Sequence, residues 1–173
     1  MNNALIGDFL YKYIGYYSSY YYYSNLNKFL SDYQGKKLGL NSTAICHASS
    51  CVAMSIYYFF INNNFNYNYI IFNTFGYFTF DTVRILINNK FDILRIMYLY
   101  HHFAINYVLL FYNPKNYYVV EAISIAEFSN LFNYLVYYNI QQDKLKNLKK
   151  SSEKTLFFKK IQIIAYNFLR IIP

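Results

Sequence analysis

The 173-residue sequence has no tryptophan, only two cysteines, and eight acidic residues against sixteen basic ones. Charged residues make up 14% of the chain, where an ordinary soluble domain carries roughly 25%. So few charges do not cover the surface of a small water-soluble globule, which exposes a large share of its atoms. Disorder is excluded as well, because it requires low hydrophobicity together with high charge. Cys46 and Cys51 make no disulfide scaffold: five residues apart on one helix they stand ~140° from each other and do not bridge. Both are expected to be buried, unreactive thiols. A glycine-rich phosphate loop, Cys-x-x-Cys, His-Glu-x-x-His and a nucleophile elbow are all missing. The start of the chain lacks the basic stretch of a cleaved signal, so its first helix is expected to be retained.

What is present is apolar and aromatic: 56% hydrophobic residues, with 24 tyrosines and 17 phenylalanines. A bilayer core of ~30 Å asks for about 20 predominantly apolar helical residues. Six stretches approach that length: residues 4–23, 41–61, 67–87, 95–112, 117–140 and 156–172. The first carries Asp8 and Lys12 and the last Lys159 and Lys160. The links at 62–64 and 113–116 are short and polar, and 141–154 reads as a solvated loop. The prediction is an all-α, multi-pass transmembrane bundle of about five to six spans. Residues 1–40 are its first span and a cytosolic linker, and 41–173 its main helical domain.

With sides numbered alternately, thirteen of the sixteen Lys and Arg residues fall on one side, from Lys28 to Lys160. Lys115 and Arg170 fall on the other, and Lys12 lies inside the first helix. By the positive-inside bias the thirteen face the cytosol. Contact with anionic headgroups is a sufficient use for the net charge of +8. No nucleic-acid motif accompanies these charges, so no nucleic-acid partner is expected. The expected location is an internal membrane, such as the endoplasmic reticulum.

Ionisable groups inside a bilayer are expensive and mark candidate sites. Here they are His47, Asp81, Arg84, His101, His102, Glu121 and Glu127. Asp81 and Arg84, at i,i+3, can neutralise each other. Adjacent histidines diverge by ~100° around a helix, so one of His101 and His102 can face the bundle interior while the other packs against a neighbour. They seldom aim at one ion for the same reason, and neither a metal nor a cofactor is expected. Ser124, Glu127 and Asn130, at spacings of three, are expected near one face.

Gly76-Tyr77-Phe78-Thr79-Phe80-Asp81 resembles the glycine–aromatic–Asp signature of the TLC-domain family, which includes ceramide synthases and small multi-pass membrane proteins. His101-His102 follows at the family's spacing, and Glu127-Phe128-Ser129-Asn130-Leu131-Phe132-Asn133 resembles its Glu-Leu-Ser-Thr/Ser-Pro-Phe-x-Asn segment. Upstream, Asn41-Ser42-Thr43-Ala44-Ile45-Cys46-His47-Ala48 is similar to the opening of the small members' second span. The resemblance implies a C-terminally short TLC-like domain over 41–173. It also implies work on membrane lipids of sphingolipid or phospholipid type: homeostasis, sensing or transport through a polar intramembrane pocket. His47, Asp81, Glu127, Ser129 and Asn133 are the candidate pocket residues. The alternative it implies is an acyl-CoA-dependent N-acyltransferase with His101 or His102 as catalytic base. A third reading is a structural membrane protein without catalysis. Ceramide synthases carry further acids soon after their histidines, whereas residues 103–120 hold none, which favours the non-catalytic lipid reading.

Overall fold

The computed structural model describes residues 3–62, 66–87, 92–111 and 117–170. These form six α-helices, with no strand among the described residues. They are α1 (Asn3–Gln34), α2 (Lys36–Ile56, continued by a π-helical turn Tyr57–Ile61), α3 (Asn68–Ile87), α4 (Ile93–Leu110), α5 (Tyr117–Leu145) and α6 (Glu153–Arg170).

The chain breaks helix only where local chemistry demands it. Gly35 alone separates α1 from α2, at φ 85°, a left-handed conformation that glycine adopts without a Cβ penalty. Its amide closes α1 on the Ser31 carbonyl at 2.9 Å, and its own carbonyl receives the Gly39 amide at 2.9 Å to open α2. The linker expected within residues 25–40 is therefore helical apart from one residue. Asp92 caps α4 by accepting from the Arg95 amide at 2.9 Å. Between α5 and α6 the turn is tight, because 141–145 continue α5 and the solvated loop shrinks to a few residues around Asn147 at φ 53°. The expected links at 63–64 and 113–116, with Lys115, and the end of the last expected span at 171–172 lie outside the described residues, as does Lys90.

Successive helices run antiparallel. Near one end Asn66 donates to the Tyr11 hydroxyl at 3.0 Å and Tyr16 to the Leu109 carbonyl at 3.3 Å, joining the starts of α1 and α3 to the end of α4. α1, α2 and α3 pack on one another, α5 on α2, α4 on α3, and α6 along α5. Gly76 sets the α1–α3 crossing: a Cβ there would meet Ser19 and lie 2.6 Å from the Tyr20 amide nitrogen. Small residues at such crossings let backbones approach, as between helices in lipid.

Large apolar side chains lie on the outside as well as in the core, and several polar ones are buried among them. Phe9, Ile96, Met97, Tyr100, Phe103, Phe128, Phe157 and Ile163 are exposed, Tyr100 by 78%. Thr43, His47, Thr74, His102 and Glu127 are buried. Among the described residues two helices are long and apolar enough to cross a membrane, Lys36–Ile61 and Asn68–Ile87, fewer than the five to six expected. Tyrosine and asparagine, both abundant in α1 and α5, lower hydropathy there, as do the lysines in α6. α4 has the most apolar composition of the six but carries Arg95 and both histidines.

Candidate functional site

The buried polar groups converge halfway along the helices. His47, Ser50 and Cys51 share one face of α2 at i, i+3 and i+4, and Asn73, Thr74, Tyr77 and Phe78 share one of α3. α1 adds Tyr23 and α5 adds Glu127. The His47 ring is fully buried. It lies flat on Tyr77, centroids 4.1 Å apart at 7°, with Tyr23 and Phe78 against its edges at 5.6 and 6.0 Å. Asn73 Nδ2 donates to Ser50 Oγ at 2.9 Å and to Cys51 Sγ at 3.0 Å, and lies 3.3 Å from His47 Nδ1. Tyr23 donates to Asn73 Oδ1 at 2.5 Å. His47 Nε2 stands 3.7 Å from Glu127 Oε1. Glu127 is 2% exposed, and its Oε2 has no hydrogen-bond partner among the described residues.

Two cavities flank this layer. The first, about 390 Å³, lies between α3, α4 and α5 and is walled mostly by apolar side chains such as Phe78, Ile105, Val108 and Ile123. Glu127, His101 and Asn130 bring polar groups to it. The second, about 410 Å³, opens toward the basic end and is lined by Asn41, Tyr77, Asp81, Arg84, Arg95, Tyr98, His102 and Tyr134 among others. There Arg84 Nε donates to Asp81 Oδ1 at 2.8 Å, the pairing expected from their spacing. His102 Nε2 lies 3.7 Å from Asp81 Oδ2, and its Nδ1 is 3.4 Å from Thr82 Oγ1. The ~100° between neighbouring residues sends His101 to the first cavity and His102 to the second, with Phe78 touching both rings at 6.0 and 4.9 Å.

Of the residues singled out from sequence, His47 meets Glu127, and Asp81 meets His102. Ser129 and Asn133 have bonds elsewhere. Ser129 is buried and donates to the Ala126 carbonyl of its own helix at 2.7 Å, while Asn133 accepts from Gln162 of α6. On α5 they stand ~160° and ~120° around the axis from Glu127. Ser124 is also turned away from Asn130, since a spacing of three drifts ~60° per step; it meets Ser55 of α2 at 2.7 Å. Cys51 is buried as expected, but Cys46 is exposed. Tyr23 and Asn73, which hold the imidazole, were not among the expected pocket residues. The signal for Asn73 was an amide inside the apolar run Ile70-Ile71-Phe72-Asn73, a residue type that such helices use to bond their neighbours. Tyr23 sat unmarked at the end of a tyrosine run.

His47 is packed among aromatic rings beside Glu127 and lines neither of these two cavities. His101 and His102 do line cavities. Among the described residues no group of three or more His, Cys, Asp or Glu side chains is placed to hold a metal ion. No protein-family model, curated protein or solved structure matches the chain.

Proposed function

We propose that the chain is a multi-pass integral membrane protein of TLC type that holds a lipid in the cavity beside Glu127, for homeostasis, sensing or transport. The observation that carries this reading is the outer surface: large apolar side chains such as Phe9, Ile96, Met97, Phe103, Phe157 and Ile163 are exposed on most of the helices, while His47, Thr74 and Glu127 are buried. Monomeric soluble proteins rarely expose contiguous apolar patches beyond a few hundred Å². A lipid bilayer is the solvent that makes such an outside favourable, and there the other helices cross alongside α2 and α3. The asymmetry of Lys and Arg orients the end carrying Lys36, Lys37 and the α5–α6 turn toward the cytosol. An internal membrane such as the endoplasmic reticulum suits this reading.

The first cavity is within the ~300–1,000 Å³ range of ligand pockets. Its apolar walls suit a hydrocarbon chain, and the free Glu127 oxygen suits a hydrogen-bond donor on the lipid head. The test is mass spectrometry of lipids that remain with the purified protein. Retention of a defined lipid class by the natural sequence, lost in the cavity-filling Ala126→Phe, is the expected result. An identical lipid content in both proteins would overturn it.

Amide synthesis from a long-chain amine and an acyl thioester is the second reading, favoured by His101 standing in the same cavity as Glu127. Catalysis there would lose ~100–10,000-fold in rate with His101→Ala. We expect no amide product, because residues 103–120 hold no acid to accompany the histidines.

A further inference from the structure

The second cavity is walled by two kinds of side chain. Four tyrosines line it: Tyr77 from α3, Tyr98 from α4, and Tyr134 and Tyr137 from α5. Two Arg–Asp pairs line it as well, Asp81 with Arg84 on α3 and Asp92 with Arg95 at the start of α4. Helix stripes give the cavity an order from rim to floor. On α3, Tyr77, Asp81 and Arg84 follow one stripe at i, i+4 and i+7, and on α4 Arg95, Tyr98 and His102 follow another at i, i+3 and i+7. α3 ends and α4 begins at the basic end of the bundle, where Lys36 stands beside Arg84 and Ile87. Both arginines are therefore at the rim. Tyr77 and His102, each 4% exposed, lie about two helical turns deeper.

The charges are held in place by short-range pairs. Arg84 Nε donates to Asp81 Oδ1 at 2.8 Å, and His102 Nε2 faces Asp81 Oδ2 at 3.7 Å. Arg95 Nε lies 3.8 Å from Asp92 Oδ2, and the other Asp92 oxygen caps α4. Two arginines against two aspartates leave this wall with no net formal charge. Such a wall favours neither a simple anion nor a simple cation, and suits a ligand that carries both charges. A guanidinium anchored through Nε is a planar fork set in position, the geometry that recognises phosphate. Tyrosine faces attract a quaternary ammonium, which brings no N–H in need of an acceptor. Asp81 adds negative charge beside the rings without an open carboxylate, since Arg84 holds one oxygen and His102 faces the other. A primary ammonium would find its acceptors taken there.

We propose that the second cavity binds a phosphocholine group, with the quaternary ammonium among the tyrosines and the phosphate at Arg84 and Arg95. A membrane lipid and free phosphocholine carry this same pair of charges, and the cavity, about 410 Å³, is in the size range of ligand pockets. The site is separate from the cavity beside Glu127 and does not depend on a lipid there.

The experiment equilibrates the full chain, purified in a maltoside detergent, with radiolabelled phosphocholine in one arm and radiolabelled lysophosphatidylcholine in the other. Saturable binding is expected, with the choline compound held roughly tenfold more tightly than its ethanolamine counterpart in the same arm. Far tighter binding of the lysolipid assigns the group to a membrane lipid, and equal binding in both arms assigns it to a free molecule; either result supports the site. Tyr98, 48% exposed, can be replaced without opening the buried layer. Tyr98→Leu should weaken binding about two- to fivefold, while Tyr98→Phe, which keeps the ring, should not. Arg95→Gln should weaken it about tenfold, the scale of a lost charged hydrogen bond, and Cys46→Ser should leave it unchanged. No saturable binding in either arm, ethanolamine compounds bound as well as choline ones, or full binding by Tyr98→Leu would overturn the site. Each of those results leaves the lipid reading of the first cavity standing, because that cavity is tested by Ala126→Phe and retained lipid.

Discussion

Glu127 and Asp143 are both carboxylates of α5 that tie it to a neighbour, one at the middle of the bundle and the other at its surface. Glu127 reaches α2 through a single oxygen, in the buried middle layer. Asp143 clasps the start of α6, its Oδ2 accepting from the Thr155 hydroxyl at 2.6 Å and the Ser152 amide at 2.9 Å. The surface carboxylate is the better bonded of the two, yet it governs less, because water can replace each bond it loses. Glu127 is buried, so a partner it loses is harder to replace and the loss costs more of the desolvation of the group left behind. Quality of geometry and importance to stability are different things in this protein, and burial separates them.

Four measurements test that contrast, from the largest expected effect downward. Glu127→Leu leaves the buried His47 ring without its carboxylate and should cost about 3–5 kcal/mol in detergent unfolding, the scale of breaking a buried pair. Glu127→Gln, whose amide oxygen still accepts, should cost less; equal losses for both variants would mean that shape rather than bonding sets the energetics of this layer. Gly76→Val forces a side chain against Ser19 and the Tyr20 backbone and should cost about 3 kcal/mol, as overpacking does when backbone cannot yield. A near-neutral result in the same unfolding assay would show that α1 is free to shift on α3.

Tyr23→Phe removes the donor to Asn73 Oδ1 and should cost about 1 kcal/mol, the net worth of one hydrogen bond. The smallest effect belongs to Asp143. Hydrogen bonds from Thr155 first and Ser152 second hold its carboxyl below the usual aspartate range. The clasp is therefore at full strength above the ordinary aspartate value of ~3.9 and is lost as pH falls through the lower folded value. Amide hydrogen exchange across α6 should rise only below about pH 4, and Thr155→Val should weaken that dependence. Release of α6 at a higher pH would mean that another group holds it.

Much of the helical framework was legible in the sequence, and the candidate site only in part. The apolar runs marked all six helices. The longer reach of α1 and the helical start of α2 were not evident, because tyrosine, asparagine and lysine at 25–40 read as a linker while each is compatible with helix. The Asp81–Arg84 pair followed from spacing alone. Ser129 and Asn133 lie close to Glu127 in sequence but around the axis from it, because consecutive positions turn ~100°.

By itself the sequence determined what depends on a few neighbouring residues. That covers the helix at each apolar run, the break at Gly35, the Asp92 cap of α4, the divergence of His101 and His102, and the concentration of lysine and arginine toward one end. Only the tertiary structure decided that Glu127 finds His47, that Tyr23 and Asn73 complete the layer, and that the histidine pair serves two separate cavities. The physical reason is that backbone geometry sets relations within about four residues. How far each helix is rotated, and which neighbour its polar stripe meets, is settled by close crossings such as Gly76 against Ser19 and by the need of buried polar groups for partners.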